Sequence, residues 1–344
     1  VGAAKVHAGR NSRTKRKFAG ITTNHDVPAC KEQCSAKLRV RLARSGRLAK
    51  ERTIMAHLAG TFQLGSYTVH RIGLGAMKLC GAMAYGPPRD PAEAAAVLRT
   101  AIEAGIDHID TSDYYGPHLV NQMIRETLAP YPDSLVLVTK VGARRTPDKG
   151  WPHALSREEL TSAVQDNLRN LGLDVLPVVN LRVGDAMAPR EGSIEAPFTV
   201  LAELQQQGLI RHLGVSNVTP AQLTEAQSIA PVVCVQNHFN LAQRKDDLLV
   251  DHCAQQGIAF VPYFPLGGFR PIQSAVLTAV SGNLGVTPMQ VALAWLLHRA
   301  PNVLVIPGTS KVAHLEENIG AGELPLPDHA LEALNGIGKV LPPP

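Results

Sequence analysis

Asp110-Thr111-Ser112-Asp113-Tyr114-Tyr115-Gly116, followed about 25 residues on by the apolar run Leu135–Val138 and then Thr139-Lys140, decides how this chain is read. An Asp closing one strand, a Tyr in the turn after it and a Lys closing the next strand converge at one rim when the strands lie parallel in a barrel. The group so assembled is a phenol beside an ammonium and its counter-ion. Lys140 is expected to stabilise phenolate and draw the Tyr115 pKa down towards neutrality, while Asp110 keeps Lys140 charged and in place. These are the parts needed to protonate a carbonyl oxygen as hydride reaches its carbon.

Working outward, strand-length apolar runs recur at Arg71–Gly75, His108–Ile109, Leu135–Thr139, Val175–Asn180, His212–Val215, Val232–Val235, Ala259–Pro262 and Val303–Ile306. Segments of helical period lie between them, among them Ala92–Ala104, Leu119–Leu128, Arg157–Asn170, Ile194–Gln207, Pro220–Ile229 and Asp246–Gln256. Ser156-Arg157-Glu158-Glu159 has the form of a capping box, and Gly105, Gly172, Gly208 and Gly257 stand where helices end. Strands alternating with helices in this way predict a (β/α)8 TIM barrel in one domain. A doubly wound sheet would favour a glycine-rich phosphate turn after the first strand, and Gly73-Leu74-Gly75-Ala76-Met77 lacks its third glycine. Upstream, Thr61–His70 reads as two short strands joined at Gly65-Ser66, an N-terminal β-hairpin placed to cap the barrel bottom.

The net charge of +5 does not describe this body. Residues 1–54 hold 14 of the 34 Lys and Arg but only three of the 29 acids, which leaves 20 bases and 26 acids, a balance of −6, in 55–344. A nucleic-acid partner is therefore not expected. Residues 1–54 are read as a basic, disordered extension and 55–344 as the barrel domain. Met55 has the look of a natural start, with an organellar transit peptide or an interaction arm as the other accounts of the extension. No apolar run approaches the roughly 20 residues that span a bilayer, so a soluble protein with no membrane partner is expected. Of five cysteines, Cys80, Cys234 and Cys253 are scattered through the body without metal-ligand spacing. That pattern points to a reducing, cytoplasmic setting and to no metal.

Ile106–Gly116, Val138–Lys140, Leu171–Asp174, Gly214–Asn217, Val235–Asn237, Tyr263–Leu266 and Ile306–Thr309 with Glu317-Asn318 resemble, in order and spacing, the motifs of the aldo-keto reductase superfamily. The resemblance runs from residue 61 to about 335 and implies a catalytic tetrad of Tyr, Lys, Asp and His. Three members map onto Tyr115, Lys140 and Asp110. Where the His is expected, in Val178-Val179-Asn180-Leu181-Arg182, the chain carries Arg182. This variant, with Tyr115-Gly116-Pro117-His118, Gly142–Arg145 and Phe264–Phe269, is similar to a bacterial subgroup for which the implied reaction is reduction of pyridoxal to pyridoxine by NADPH. Arg182 can bring hydrogen bonds and positive charge to the carbonyl oxygen, but it stays protonated and cannot shuttle a proton as His does. It can equally pair with Asp185 or Glu191 and merely line the rim.

Ser216 and Asn217 after one strand, with Gln236 after the next, offer fixed partners to a nicotinamide carboxamide, and Tyr263 offers the ring a flat face. The resemblance adds Ala76, Met77, Phe264, Pro265 and Leu266 to the cofactor surface. Pro307-Gly308-Thr309-Ser310 opens a helix whose amides can meet a phosphate. His314, Glu317 and Asn318, about one turn apart, face the adenosine end. Many family members have Lys-Ser in place of Gly308-Thr309 and Arg in place of His314. Two usual cations are thus missing, and Lys311 or Arg270 is left to meet the 2′-phosphate. NADPH is the expected cofactor and NAD the less favoured one. Trp151, in the long loop Gly142–Leu155, and Met77 are placed to shape a substrate pocket.

The expected partner is a small-molecule aldehyde, pyridoxal in the narrower reading, taken by a monomer or weak oligomer. A general aldehyde or xenobiotic reductase, a nicotinamide-binding redox-sensing subunit and a Schiff-base aldolase using Lys140 stand as alternatives. The composition of residues 1–54 offers too little apolar area to offset chain ordering. A chain beginning at Met55 is therefore expected to match the full chain in melting temperature and turnover, and a large loss in either would make the extension integral.

Overall fold

In the computed structural model the described residues are 59–338 apart from 186, 269 and 270. The extension 1–54, Met55 and Arg270 lie outside them. Thr61–Leu64 (β1) and Tyr67–His70 (β2) pair antiparallel as the expected hairpin. Leu74–Gly75 (β3), His108–Asp110 (β4), Val136–Val141 (β5), Leu176–Arg182 (β6), Ile210–Ser216 (β7), Val232–Gln236 (β8) and Ala259–Phe260 (β9) follow as one parallel sheet in chain order. Bridges from Ile72 to Val305 and from Phe260 to Val303 close that sheet on itself. They are backed by Gly73 N–H to Val305 O and Leu304 N–H to Phe260 O, both 2.9 Å. The result is a (β/α)8 barrel whose eighth staves are these bridging residues. The run expected as a strand at Val303–Ile306 pairs only at alternate residues because its neighbours, β9 and β3, are two residues long.

Side chains inside the barrel follow the period of two. Val136, Val138, Val178, Cys234, Ala259, Val261, Leu304 and Ile306 form one interior cluster, and the hairpin inserts Leu64 and Val69, 1% and 0% exposed, into it. Ser66 N–H donates to His212 Nε2 at 3.0 Å, near the start of β7, which fixes the hairpin at the barrel bottom. Room inside comes from two glycines. A Cβ on Gly73 would stand 2.2 Å from His108 Nε2, and one on Gly214 would stand 2.0 Å from Asn180 Oδ1. On the outer face Leu137, Val179, Leu213 and Val235 pack under helix residues such as Leu160, Val164, Phe198 and Leu201. Burial of each such side chain contributes about 1.5–3 kcal/mol.

The surrounding helices are Pro91–Glu103 (α1), Leu119–Leu128 (α2), Arg157–Leu171 (α3), Glu195–Gln206 (α4), Pro220–Ile229 (α5), Asp247–Gln255 (α6), Ala275–Leu284 (α7), Pro288–Arg299 (α8), Val312–Gly320 (α9) and Asp328–Asn335 (α10). Capping chemistry starts several of them: Asp90 caps α1, and full capping boxes start α3 at Ser156, α5 at Thr219 and α8 at Thr287. Helix bounds match the sequence expectation to within a residue, whereas β5, β6 and β7 run on further than expected. Lys140 and Arg182 are consequently strand residues, paired with Asn180 and Ser216 respectively. Among the described residues no single helix is long and apolar enough to cross a membrane.

Candidate active site

Lys140 points into the barrel mouth, where Nζ donates to Asp110 Oδ1 at 2.6 Å and to the Thr111 carbonyl at 2.9 Å. Both side chains of the pair are 5% exposed. The second carboxylate oxygen of Asp110 accepts from Gln236 Nε2 at 2.8 Å. Tyr115, in the turn after β4, lies with its ring centroid 5.3 Å from Lys140 Nζ. Its pKa, however, moves the opposite way to the sequence expectation. Burial drives it well above the usual tyrosine value and Asp110 adds to the rise, with Arg182 opposing. Lys140 spends its charge on Asp110 at hydrogen-bond distance, and desolvation of the phenolate dominates what remains. Tyr115 therefore keeps its proton at rest.

Arg182 is half-buried at the end of β6. Its Nη2 donates to the Asp185 backbone carbonyl at 2.8 Å, and its guanidinium carbon lies 5.9 Å from the Tyr263 ring centroid. The Asp185 carboxylate faces His153 instead, at 3.5 Å.

Two clefts meet over these residues. One, of about 560 Å³, runs past Asp110, Lys140, Gln236, Tyr263 and Phe264–Leu266 to Pro307 and Gly308. The other, of about 550 Å³, is walled by Tyr114, Trp151, Arg182 and Met187. Met77, Tyr115, Lys140, Tyr263 and Phe264 line both.

The first cleft suits a nicotinamide. Gln236, which lines it, and Ser216, its neighbour across β7 and β8 that does not, have buried Oε1 and Oγ atoms with no hydrogen-bond partner among the described residues, so each is left with bonding capacity that a carboxamide could use. Tyr263 supplies the flat face, stacked from behind by His238 at 5.3 Å. Asn217 is otherwise engaged. Its Nδ2 donates to the carbonyls of Asp185 and Ala188, and its Oδ1 accepts from the Tyr263 hydroxyl at 2.9 Å. Ala76 is fully buried in the core beneath the cleft, and Gly75 and Met77 line it instead.

At the far end Gly308 lies against Gly75, whose carbonyl would stand 2.9 Å from a Cβ on Gly308. The helix terminus expected to offer its amides is partly taken. Lys311 N–H donates to Thr309 Oγ1 at 3.1 Å, and Val312 N–H, at the start of α9, donates to Glu93 Oε1 at 3.0 Å. His314 is exposed. Glu317 accepts from Thr287 Oγ1, and Asn318 is 5% exposed. Positive charge comes instead from residues that the sequence motifs did not mark. Lys78 and Arg89, with Ser310 and Lys311, line an adjoining cleft, and Lys78 also lines the first. Met187, 44% exposed on the wall of the second cleft, was likewise not marked.

The chain belongs to the aldo/keto reductase family, whose model matches residues 71–339. A pyridoxine 4-dehydrogenase of Escherichia coli strain K12 is 60% identical over 283 residues, 82% of this chain and 99% of that protein. An oxidoreductase of Schizosaccharomyces pombe is 38% identical over 85% of this chain and 94% of its own length. Among solved structures, a thermostable aldo-keto reductase in complex with the inhibitor epalrestat has a TM-score of 0.68 at 30% identity, over 80% of this chain and 98% of that one. An aldo/keto reductase from Klebsiella pneumoniae in complex with NADP and acetate has a TM-score of 0.65 at 25% identity, covering 80% and 93%. The protein is an oxidoreductase that uses a nicotinamide cofactor on small carbonyl compounds.

Beside the tyrosine turn, Asp113 is 6% exposed, and burial, then the charge of Asp166, pushes its carboxyl up from 3.8 to about 7. Asp113, Asp166 on α3 and His118 each bring one ligand-type atom within 4.8 Å of the others. Below pH 3.8 Asp113 is protonated in both folded and unfolded chains and costs nothing. As pH rises from there through 7 the unfolded state ionises more readily, so stability is lost. Asp113→Asn should raise the melting temperature by several degrees at pH 8 and by much less at pH 5. A difference independent of pH would show that Asp113 is not the titrating group.

Proposed function

We propose that the protein reduces pyridoxal to pyridoxine with NADPH, Tyr115 donating the proton. The observation that carries this is the meeting of a cofactor cleft and an aromatic-walled cleft at Tyr115 and Lys140, with Arg182 on the aromatic side. The name of the Escherichia coli relative, pyridoxine 4-dehydrogenase, describes the same reaction in the oxidative direction. We take residues 55–344 as the catalytic domain. We place the activity in the cytoplasm, in keeping with Cys80, Cys234 and Cys253 being free thiols.

When bound, the reduced nicotinamide supplies hydride to the carbonyl carbon. Negative charge then grows on the oxygen, and Tyr115 hydrogen-bonds to it and gives up its proton. A pKa above the ordinary tyrosine value does not prevent this, because an alkoxide is far more basic than a phenol. Lys140, kept charged by Asp110, stabilises the phenolate that remains, and Arg182 adds positive charge on the substrate side. Ser216 and Gln236 hold the carboxamide, with Tyr263 under the ring. Lys78, Arg89 and Lys311 supply the cations that favour a 2′-phosphate and hence NADPH over NADH.

Pyridoxal carries an acidic ring hydroxyl beside its aldehyde. A fixed guanidinium can bind that phenolate and orient the carbonyl better than a neutral imidazole can.

Tyr115→Phe should lower turnover at least about 10²-fold while leaving NADPH affinity unchanged, since it removes one hydroxyl and little volume. Single-turnover kinetics and cofactor titration check this; retained turnover at normal affinity removes Tyr115 from the donor role. Arg182→His should lower kcat/KM on pyridoxal far more than on benzaldehyde, which lacks the hydroxyl. An equal fall on both substrates leaves Arg182 as a general oxyanion contact only.

A further inference from the structure

One guanidinium ties together the loops around the aromatic-walled cleft. Arg145, in the loop after β5, places its guanidinium carbon 3.6 Å from the Trp151 ring centroid, which puts it directly over the face of the indole. Nη1 donates to the Met83 carbonyl at 2.9 Å and Nη2 to the Lys149 carbonyl at 3.0 Å. The same group lies 5.4 Å from the Tyr85 ring centroid. Trp151 lines the substrate cleft but Arg145 does not; it lines a neighbouring cleft with Ala143 and Ala154. The guanidinium thus backs the indole on the side away from substrate. Tyr114 meets the indole edge-on, with centroids 5.5 Å apart. The loop that carries Trp151 is itself closed by the Ala143–His153 bridge and by Ala154 N–H to Gly142 O at 3.0 Å.

We infer that Arg145 is a positioning residue that sets substrate specificity, clamping the Trp151 indole as a rigid wall against which flat aromatic aldehydes bind. A planar fork can stack on a ring while its two terminal nitrogens donate to different carbonyls; a lysine ammonium has no plane to lay on the ring. A rigid wall rewards a substrate broad enough to lie along it and is indifferent to one that is not. The inference rests on reading that cleft as the substrate site.

The test uses the full chain with Arg145→Met and Arg145→Lys, melting temperature confirming that each is folded. Trp151 and Trp295 are the two tryptophans, so Trp151 emission is the difference between each protein and its Trp151→Phe counterpart. Both substitutions should shift that emission to the red and increase its quenching by acrylamide. KM should rise about tenfold for pyridoxal and benzaldehyde, with kcat within about twofold. KM for propanal and affinity for NADPH should stay as in the parent. Unchanged Trp151 emission in Arg145→Met overturns the clamp, and an equal rise in KM for propanal overturns the specificity role. If the parent reduces neither aromatic aldehyde, the substrate reading fails and takes the specificity role with it, while the emission still decides whether Arg145 positions Trp151.

Discussion

A lysine ammonium enclosed in the mouth of the barrel is the constraint from which the rest of the site follows. β5 presents Val136 and Val138 to the interior and then Lys140, so a stave that begins apolar ends in a charge. Leaving such a charge unpaired would cost several kcal/mol, and the partners come from the neighbouring stave: the Asp110 carboxylate and the Thr111 carbonyl. The parallel register that sets Asp110 beside Val138 is what brings them within reach, and a slip of one residue would turn Lys140 out of the barrel. The same carboxylate accepts from Gln236 Nε2, which turns Gln236 Oε1 to the other side. One ion pair therefore holds the Lys140 ammonium and orients the Gln236 amide four staves from Asp110.

The charge balance at the mouth is unequal. Lys140 and Arg182 bring two positive charges and Asp110 one negative, in a place where Tyr115 is only 6% exposed. Burial keeps the phenol protonated, and the charge of Arg182 opposes that rise without overcoming it. A neutral His in place of Arg182 would remove that excess. The departure at residue 182 thus alters the electrostatics as well as the proton inventory.

Much of this was legible in the sequence, and what was not has a common cause. The barrel followed from alternating periodicities, Gly-terminated helices and capping boxes, all set by residues within a few positions of one another. Asp110, Tyr115 and Lys140 were legible because consecutive parallel staves put their ends together whatever the intervening helix does. The direction of the Tyr115 shift was not, since burial is a property of the assembled mouth. Nor were the contacts between distant loops: Glu93 capping Val312, Asn217 bonded to Asp185 and Ala188, and Arg145 reaching Met83. Each joins segments whose spacing along the chain carries no period. The eighth strand shrank to bridges because its pairing depended on short neighbours, which its own apolar run could not reveal.

Asn217 shows how the two clefts are joined. It sits in the left-handed region at φ 61°, a conformation that Asn tolerates better than most residues, directly after β7. From there its amide holds the carbonyls of Asp185 and Ala188, on either side of Met187 in the wall of the second cleft, while its oxygen holds the hydroxyl of Tyr263, which lines both clefts. The sequence motif points to Asn217 as a cofactor contact, and its bonding also ties the Met187 wall to Tyr263. Arg182, bonded to the Asp185 carbonyl and set beside the Tyr263 ring, makes a second link between the same segments, so the Met187 wall and the Tyr263 face cannot move independently on that side. On the opposite side Trp151 is held by Arg145 and Tyr114, a set of partners that includes none of the residues bonded to Tyr263. Asp110, Lys140 and Arg182 thus sit on staves, where register fixes them, and Tyr115 sits in the turn after one, while the Met187 wall of the second cleft is tied to Tyr263 and the Trp151 wall is held separately.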